Sequence, residues 1–330
     1  MIHAKRKKEL TYLADTTMSA TCMDLNIVGE AAAILASGFW TICSIFFTSA
    51  GKKIGSLSVN AYRTVFAVVF VAVTRVVLLG SLLPVASSTQ WFWMGLSGVL
   101  GLSIGDSGLF AAYLTIGPRR SLLLMALSPI FAAIGAYLML GENIPAFNIV
   151  GMAITLAGVI VVILEREEQS GELPVAKKLK GYGVLFGLIA AAGQGSGLVF
   201  AKKGIDLYPG MTLDPLSATL MRMILAALTL WVVLPIAGRL PELRSAAKNR
   251  KGIRDTTAAA ILGPFLGVTL SMFAVTYTQT GIAQTLLSLM PVMIIPVVWV
   301  LYRQRTSWRG ILGALTALSL YTSPSPRDRG

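Results

Sequence analysis

The stretch Gly101-Leu-Ser-Ile-Gly105-Asp106-Ser-Gly-Leu-Phe110-Ala-Ala112-Tyr113-Leu-Thr-Ile-Gly117 decides how this chain is read. It is apolar enough for the interior of a bilayer, yet it holds one carboxylate and glycines four positions apart. It also recurs. At a fixed offset of 162 positions, Gly101 and Gly105 match Gly263 and Gly267, and Ala112 matches Ala274. The match runs on: Leu124, Leu127 and Pro129 pair with Leu286, Leu289 and Pro291, and Ile149, Gly151 and Leu156 pair with Ile311, Gly313 and Leu318. Nearer the start of each copy, Ala50-Gly-Lys-Lys53 parallels Ala201-Lys-Lys-Gly204, and Tyr62-Arg63 parallels Met221-Arg222. Self-similarity of this kind marks a duplicated unit, here of about 150 residues.

The composition around that repeat belongs to lipid. Of 330 residues 55% are hydrophobic and only 13% charged, with a mean hydropathy of +0.72; a soluble domain carries about 25% charged residues. Apolar spans fall near 27–50, 58–79, 91–116, 119–140, 146–165, 181–202, 215–237, 257–279, 281–302 and 307–320. Most reach the ~20 residues that cross a bilayer. The 32 glycines fall largely inside these spans, where small residues let helix backbones approach. The net charge of +13 could suggest nucleic acid, but its cations lie in short loops between spans, where they anchor and orient helices.

Five spans per copy is an odd number, so the second copy enters the membrane upside down relative to the first. Inverted repeats are the architecture of secondary transporters, with the solute site between the halves near the midplane. The expected fold is therefore an all-α integral membrane protein, ten transmembrane helices arranged as two inverted five-helix repeats. Residues 1–26 form a polar basic leader without the apolar core of a cleavable signal, 27–165 the first repeat, 166–180 the linker and 181–320 the second repeat. The last span is short, at ~21 Å for a rise of 1.5 Å per residue. It then meets Tyr321-Thr-Ser-Pro-Ser-Pro-Arg-Asp328, which looks like the translation of a sequencing adapter. The final helix is expected to be truncated and 321–330 to be non-native.

Three segments carry a family likeness: Ile104–Gly117, then Arg120-Ser-Leu-Leu-Leu-Met-Ala-Leu-Ser-Pro129, then Leu140-Gly-Glu142. Together they resemble the EamA family, ten-helix permeases of the drug/metabolite transporter superfamily. The second copy repeats the frame from Tyr277-Thr-Gln-Thr-Gly281 to Leu289-Met-Pro291. The likeness covers roughly 27–320 and implies export of amino acids, other metabolites or drugs. The copies differ where Gly-Glu142 meets Arg303-Gln304 and where Asp106 meets Val268, so any site is expected to be asymmetric.

Candidate residues follow from the cost of polarity in lipid. Asp106, mid-helix, either contacts solute or a coupling proton, or makes a structural hydrogen bond, since a bare carboxylate there costs several kcal/mol. Ser103, Phe110 and Tyr113 share its face. Arg63 and Arg222 hold matched places, as pathway residues or as arginines that snorkel or bond between helices. Gln194 lies among residues too small to cover it, lining a cavity or bonding to a neighbouring helix. Trp40, Tyr113 and Tyr277 are aromatic walls or packing. Pro129 and Pro291 break the backbone ladder, as gates or plain kinks. Gly101, Gly105, Gly263 and Gly267 are expected at close helix contacts.

The function expected is a secondary transporter, multi-pass in a bacterial-type inner membrane, exporting small metabolites by alternating access. Its partners would be a small-molecule substrate, a coupling proton or other ion, and the bilayer. No cofactor or metal is expected: Cys22, Cys43 and His3 form no ligand set, and no Gly-x-x-x-x-Gly-Lys run exists for a nucleotide. A non-transporting receptor or scaffold is the rival reading; a membrane enzyme lacks intramembrane His and paired carboxylates. Orientation is in conflict. Basic residues crowd the loops opposite the N-terminus, placing that terminus outside, whereas the family resemblance implies a cytoplasmic one.

Overall fold

In a computed structural model, the described residues are 2–141, 180–207 and 213–277, with isolated positions at 149–150, 153, 286–287, 289–290, 293–294 and 297. Every long element among them is a helix: α1 (Ile2–Ile54), α2 (Ser56–Leu79), α3 (Ser88–Thr115), α4 (Gly117–Met125), α5 (Ser128–Leu140), α6 (Gly183–Ile205), α7 (Pro215–Ile236), α8 (Leu240–Lys248) and α9 (Arg250–Tyr277). Seven of the described segments are long and apolar enough to cross a bilayer; α1 counts from Ile27, and α4 with α5 counts once, as Arg120–Leu140. Most of the expected fifth and ninth spans and all of the tenth lie outside the described residues.

Local chemistry sets the boundaries. Gly55, with φ at 81°, separates α1 from α2, and Gly80, at 68°, closes α2 in the left-handed conformation that glycine tolerates. Ser87 and Gln90 form a reciprocal capping box at the start of α3. Asp214 accepts the Ser217 N–H at 2.9 Å, with Pro215 in the first turn of α7. The first helix runs on through Gly51 to Ile54, past the expected end, because Gly51 packs against Leu114 rather than turning the chain.

One expected break is mostly helix. Residues 238–255 read as a polar loop, but α8 occupies Leu240–Lys248 and α9 begins at Arg250. Helix α8 is amphipathic: Leu243 and Ala246 are buried while Glu242, Arg244 and Lys248 face outward. Asn249 accepts the Gly252 N–H at 3.0 Å and starts α9. Composition alone hid a helix lying against the bundle.

Matched helices of the two halves run antiparallel. The far end of α2 meets the start of α7 through Arg75 and Asp214, and its near end meets the far end of α7 through Tyr62 and Trp231. In α1, Lys53 lies at the start of α9 against Asp255, and Trp40 lies deeper against Gly267. Between α6 and α3 the order also reverses, Gly183 meeting Thr115 and Gly204 meeting Met94. Thus the first helix of each half packs on the third helix of the other, and the two second helices pack on each other. A same-direction repeat would make all three pairings parallel.

Glycine makes those contacts possible. A Cβ on Gly193 would stand 2.7 Å from the Gly105 Cα, and one on Gly197 3.1 Å from the Gly101 Cα. Gly263 meets Cys43 and Phe47, while Gly267 meets Trp40. All four expected packing glycines sit at helix contacts, and Gly193 and Gly197 are the partners of the first two. Overpacking such a site costs about 1–3 kcal/mol. Gly193→Ala is expected to lower the melting temperature of detergent-purified protein by several degrees, and Gly105→Leu to abolish most folded yield. Wild-type melting of both variants would contradict this packing.

Candidate functional site

The third helix of each half widens at the same repeat position. In α3 the turns over Gly98–Gly105 are π-helical, and in α9 those over Ile261–Gly267 are, so both end at the glycines matched by the repeat. In α9, Pro264 has no N–H to give the ladder. In α3 the widened turn leaves carbonyls to be served by side chains. Asn60 Nδ2 donates to Leu102 O and Ser103 O, each at 3.1 Å, and Arg63 Nη2 donates to Leu102 O at 3.3 Å.

Asp106 is the first residue past this π stretch, and its N–H reaches back to Gly101 O. Its carboxylate is buried and takes two donors from two helices. Arg63 on α2 bonds one oxygen through Nη2, and Gln194 on α6 donates to the other at 2.7 Å. Arg63 in turn donates from Nε to Asn60 Oδ1 at 2.8 Å and lies 4.9 Å from the Phe110 ring centroid. The carboxylate therefore ties the first half to the second. A lone buried charge costs several kcal/mol, which the pairing and the extra hydrogen bonds offset.

These groups border a cavity of about 90 Å³. Six of the residues nominated from sequence line it together: Trp40, Arg63, Asp106, Tyr113, Gln194 and Arg222. Neither arginine snorkels: each is 3% exposed. Tyr277 does not belong with them. It is 36% exposed, packs on Phe273 with ring centroids 4.5 Å apart, and is not among the described residues that line the cavity. Pro129 lies in the first turn of α5, after a turn at Ala126–Leu127 that interrupts the helix, and its neighbour Ser128 lines the cavity instead. Pro291 lies outside the described residues.

Sequence reasoning missed Cys43, Phe47, Met125, Ser271 and Met272, which also line the space. A signal existed for two of them, since Trp40, Cys43 and Phe47 fall on one helical face. Polar contacts also tie helices together towards both ends of the bundle. At one end, Asp255 accepts from Lys53 and, at 2.9 Å, from Ser49 Oγ. At the other, Arg75 bonds Ser217 Oγ and lies 3.4 Å from Asp214, while Lys203 Nζ sits 4.3 Å from the Trp93 ring centroid. Among the described residues no group of His, Cys, Asp and Glu could hold a metal ion.

Comparison with known proteins places this arrangement. The model of the EamA-like transporter family matches residues 27–164 and again 181–319. An uncharacterized transporter of Clostridium kluyveri is 25% identical over 147 residues, 44% of this chain and 45% of that protein. The match thus spans less than half of either sequence. A solved protein crystal structure superposes with a TM-score of 0.62 at 16% identity, over 91% of this chain and 95% of the other. At that identity the likeness concerns the fold alone.

The ion pair yields a stability prediction. Asp106→Ala leaves Arg63 buried and unpaired, an error worth about 3–5 kcal/mol. It is expected to destabilise the purified protein far more than the double variant Asp106→Ala/Arg63→Leu, measured by denaturation in detergent. Equal destabilisation by the single and double variants would show that the two side chains are not coupled.

Proposed function

This chain belongs to the EamA-like transporter family and is a multi-pass membrane protein, and from that premise we propose that it exports small metabolites, such as amino acids or drug-like compounds, by alternating access. The full protein carries ten transmembrane helices as two inverted five-helix repeats, 27–165 and 181–320, joined by the linker 166–180. It resides in a bacterial-type inner membrane.

The observation that carries the reading is the central cavity shared by both halves, with a polar floor at Asp106, Gln194, Arg63 and Arg222 and apolar walls. A receptor or scaffold has no use for buried charge around an open space, whereas solute recognition needs a few placed polar groups in an apolar pocket. The antiparallel pairing of α2 with α7, and of α1 with α9, supports rocking of one half against the other about that site.

The end contacts supply the two gates. Lys53–Asp255 holds one end closed and Arg75–Asp214 the other. Alternating access requires that either can open while its counterpart holds, so each must be weak enough to break. Partly exposed ion pairs contribute roughly 0–1 kcal/mol, which suits that role.

Two experiments test the reading. Cells overproducing the protein are expected to tolerate otherwise toxic levels of at least one metabolite or analogue in a broad screen; unchanged tolerance throughout would count against export. The gate is tested on the native thiol Cys43, which is buried on the cavity wall. With Cys22 replaced by Ser, Asp255→Asn is expected to speed alkylation of Cys43 by a soluble maleimide several-fold. An unchanged alkylation rate would remove Lys53–Asp255 as a gate.

A further inference from the structure

The two arginines of the cavity are matched by the repeat, but their surroundings are not. Arg63 pairs with Asp106. The position matched to Asp106 in the second half is Val268, which also lines the cavity and whose side chain can accept no hydrogen bond. Arg222 is therefore left without a carboxylate. It is 3% exposed, and its Nε is buried without a partner. Among the described residues the one acceptor it meets is the thioether of Met272, 3.4 Å from Nη1, and a thioether sulfur is a weak acceptor.

We propose that Arg222 binds the carboxylate of an organic monoanion with an apolar body; this rests on the transporter reading of the same cavity. Two guanidinium groups and one carboxylate leave the cavity with a single uncompensated positive charge. A monoanion neutralises it, and its carboxylate fits the planar fork of donors that an arginine offers. A dianion overshoots, and a cation adds to the excess. Asp106 already has its charge matched by Arg63 and accepts from Gln194 on its other oxygen, so it has no net charge to offer a cation.

The two apolar stretches that lie mostly outside the described residues bring no further carboxylate. From Thr278 to Leu320 the sequence holds no Asp or Glu, and neither does 146–164. The remaining walls choose the body of the ligand. Trp40, Phe47, Phe110, Leu198, Met272 and Leu287 give aromatic and aliphatic surface, with little else to hydrogen-bond. Sugars and nucleotides need many more polar partners than such a wall offers.

Four labelled probes of one skeleton separate the charge classes: phenylacetate, phenylalanine, phenylacetamide and phenethylamine. Each is offered to purified protein in detergent, read by thermal shift, and to protein in liposomes, read by flux. Phenylacetate is expected to stabilise and to move, with phenylalanine weaker, and the neutral amide and the amine at least tenfold weaker still. Arg222→Gln is expected to cut the phenylacetate response at least tenfold, far more than it changes the amide response. Met272→Glu is the second variant, since it keeps Arg222 and supplies an internal carboxylate in its place. It is expected to fold and to lose phenylacetate as well.

Equal or better handling of the amide or amine, or undiminished phenylacetate binding in both variants, would overturn the anion assignment while leaving the transporter reading intact. Binding of phenylacetate through Arg222 without flux of any probe would uphold the anion site and sink the transporter reading. Absence of both binding and flux for all four would overturn the two together.

Discussion

A carboxylate in the middle of an apolar bundle must find its donors inside the protein, and Asp106 finds them on two different helices. Arg63 reaches it from α2 and Gln194 from α6, so one side chain holds three helices and spans the two halves. The same requirement explains the neighbouring chemistry. Asn60 fixes Arg63 and at the same time caps carbonyls of the widened α3 turn, so charge, backbone irregularity and helix position are settled by one network. Networks of this kind are stable only when every member is satisfied. Arg222, across the cavity, stands outside it.

Close packing by glycine fixes where that network sits. Because α3 and α6 touch along Gly101–Gly197 and Gly105–Gly193, Gln194 is carried to Asp106 without a long side chain. The second half makes the matching contact between α1 and α9, where Gly263 and Gly267 meet Cys43, Phe47 and Trp40. Larger partners replace glycine there, and the cavity opens beside them. A near-symmetric frame thus encloses an asymmetric space, with an acid in one half and a valine in the other.

The duplication, the glycine contacts and the polar candidates were legible because each is a local or periodic property of the chain. An offset repeat survives any folding detail, and a carboxylate in a 20-residue apolar span announces its cost. Pairings were not legible. Arg63 and Asp106 are 43 positions apart and Gln194 is 88 beyond Asp106, so nothing in the sequence pattern joined them. The π-helical turns escaped notice since the hydrophobic pattern of α3 continues through them. Tyr277, named as an aromatic wall, packs on Phe273 instead of joining the described lining of the cavity. Residues 238–255 misled by composition, their charges concealing the buried Leu243 and Ala246.

The central claim is that solute passes through the Asp106 cavity rather than around a merely structural ion pair. Counterflow in liposomes tests it most directly, using whichever labelled solute first proves to be moved by the wild-type protein. Asp106→Asn keeps the shape and the hydrogen-bonding capacity of the side chain while removing its charge. With folding verified by circular dichroism and elution volume, the account predicts at least a tenfold loss of counterflow in that variant. Counterflow at the wild-type rate, with the same dependence on pH, would make Asp106 a strut and contradict the account.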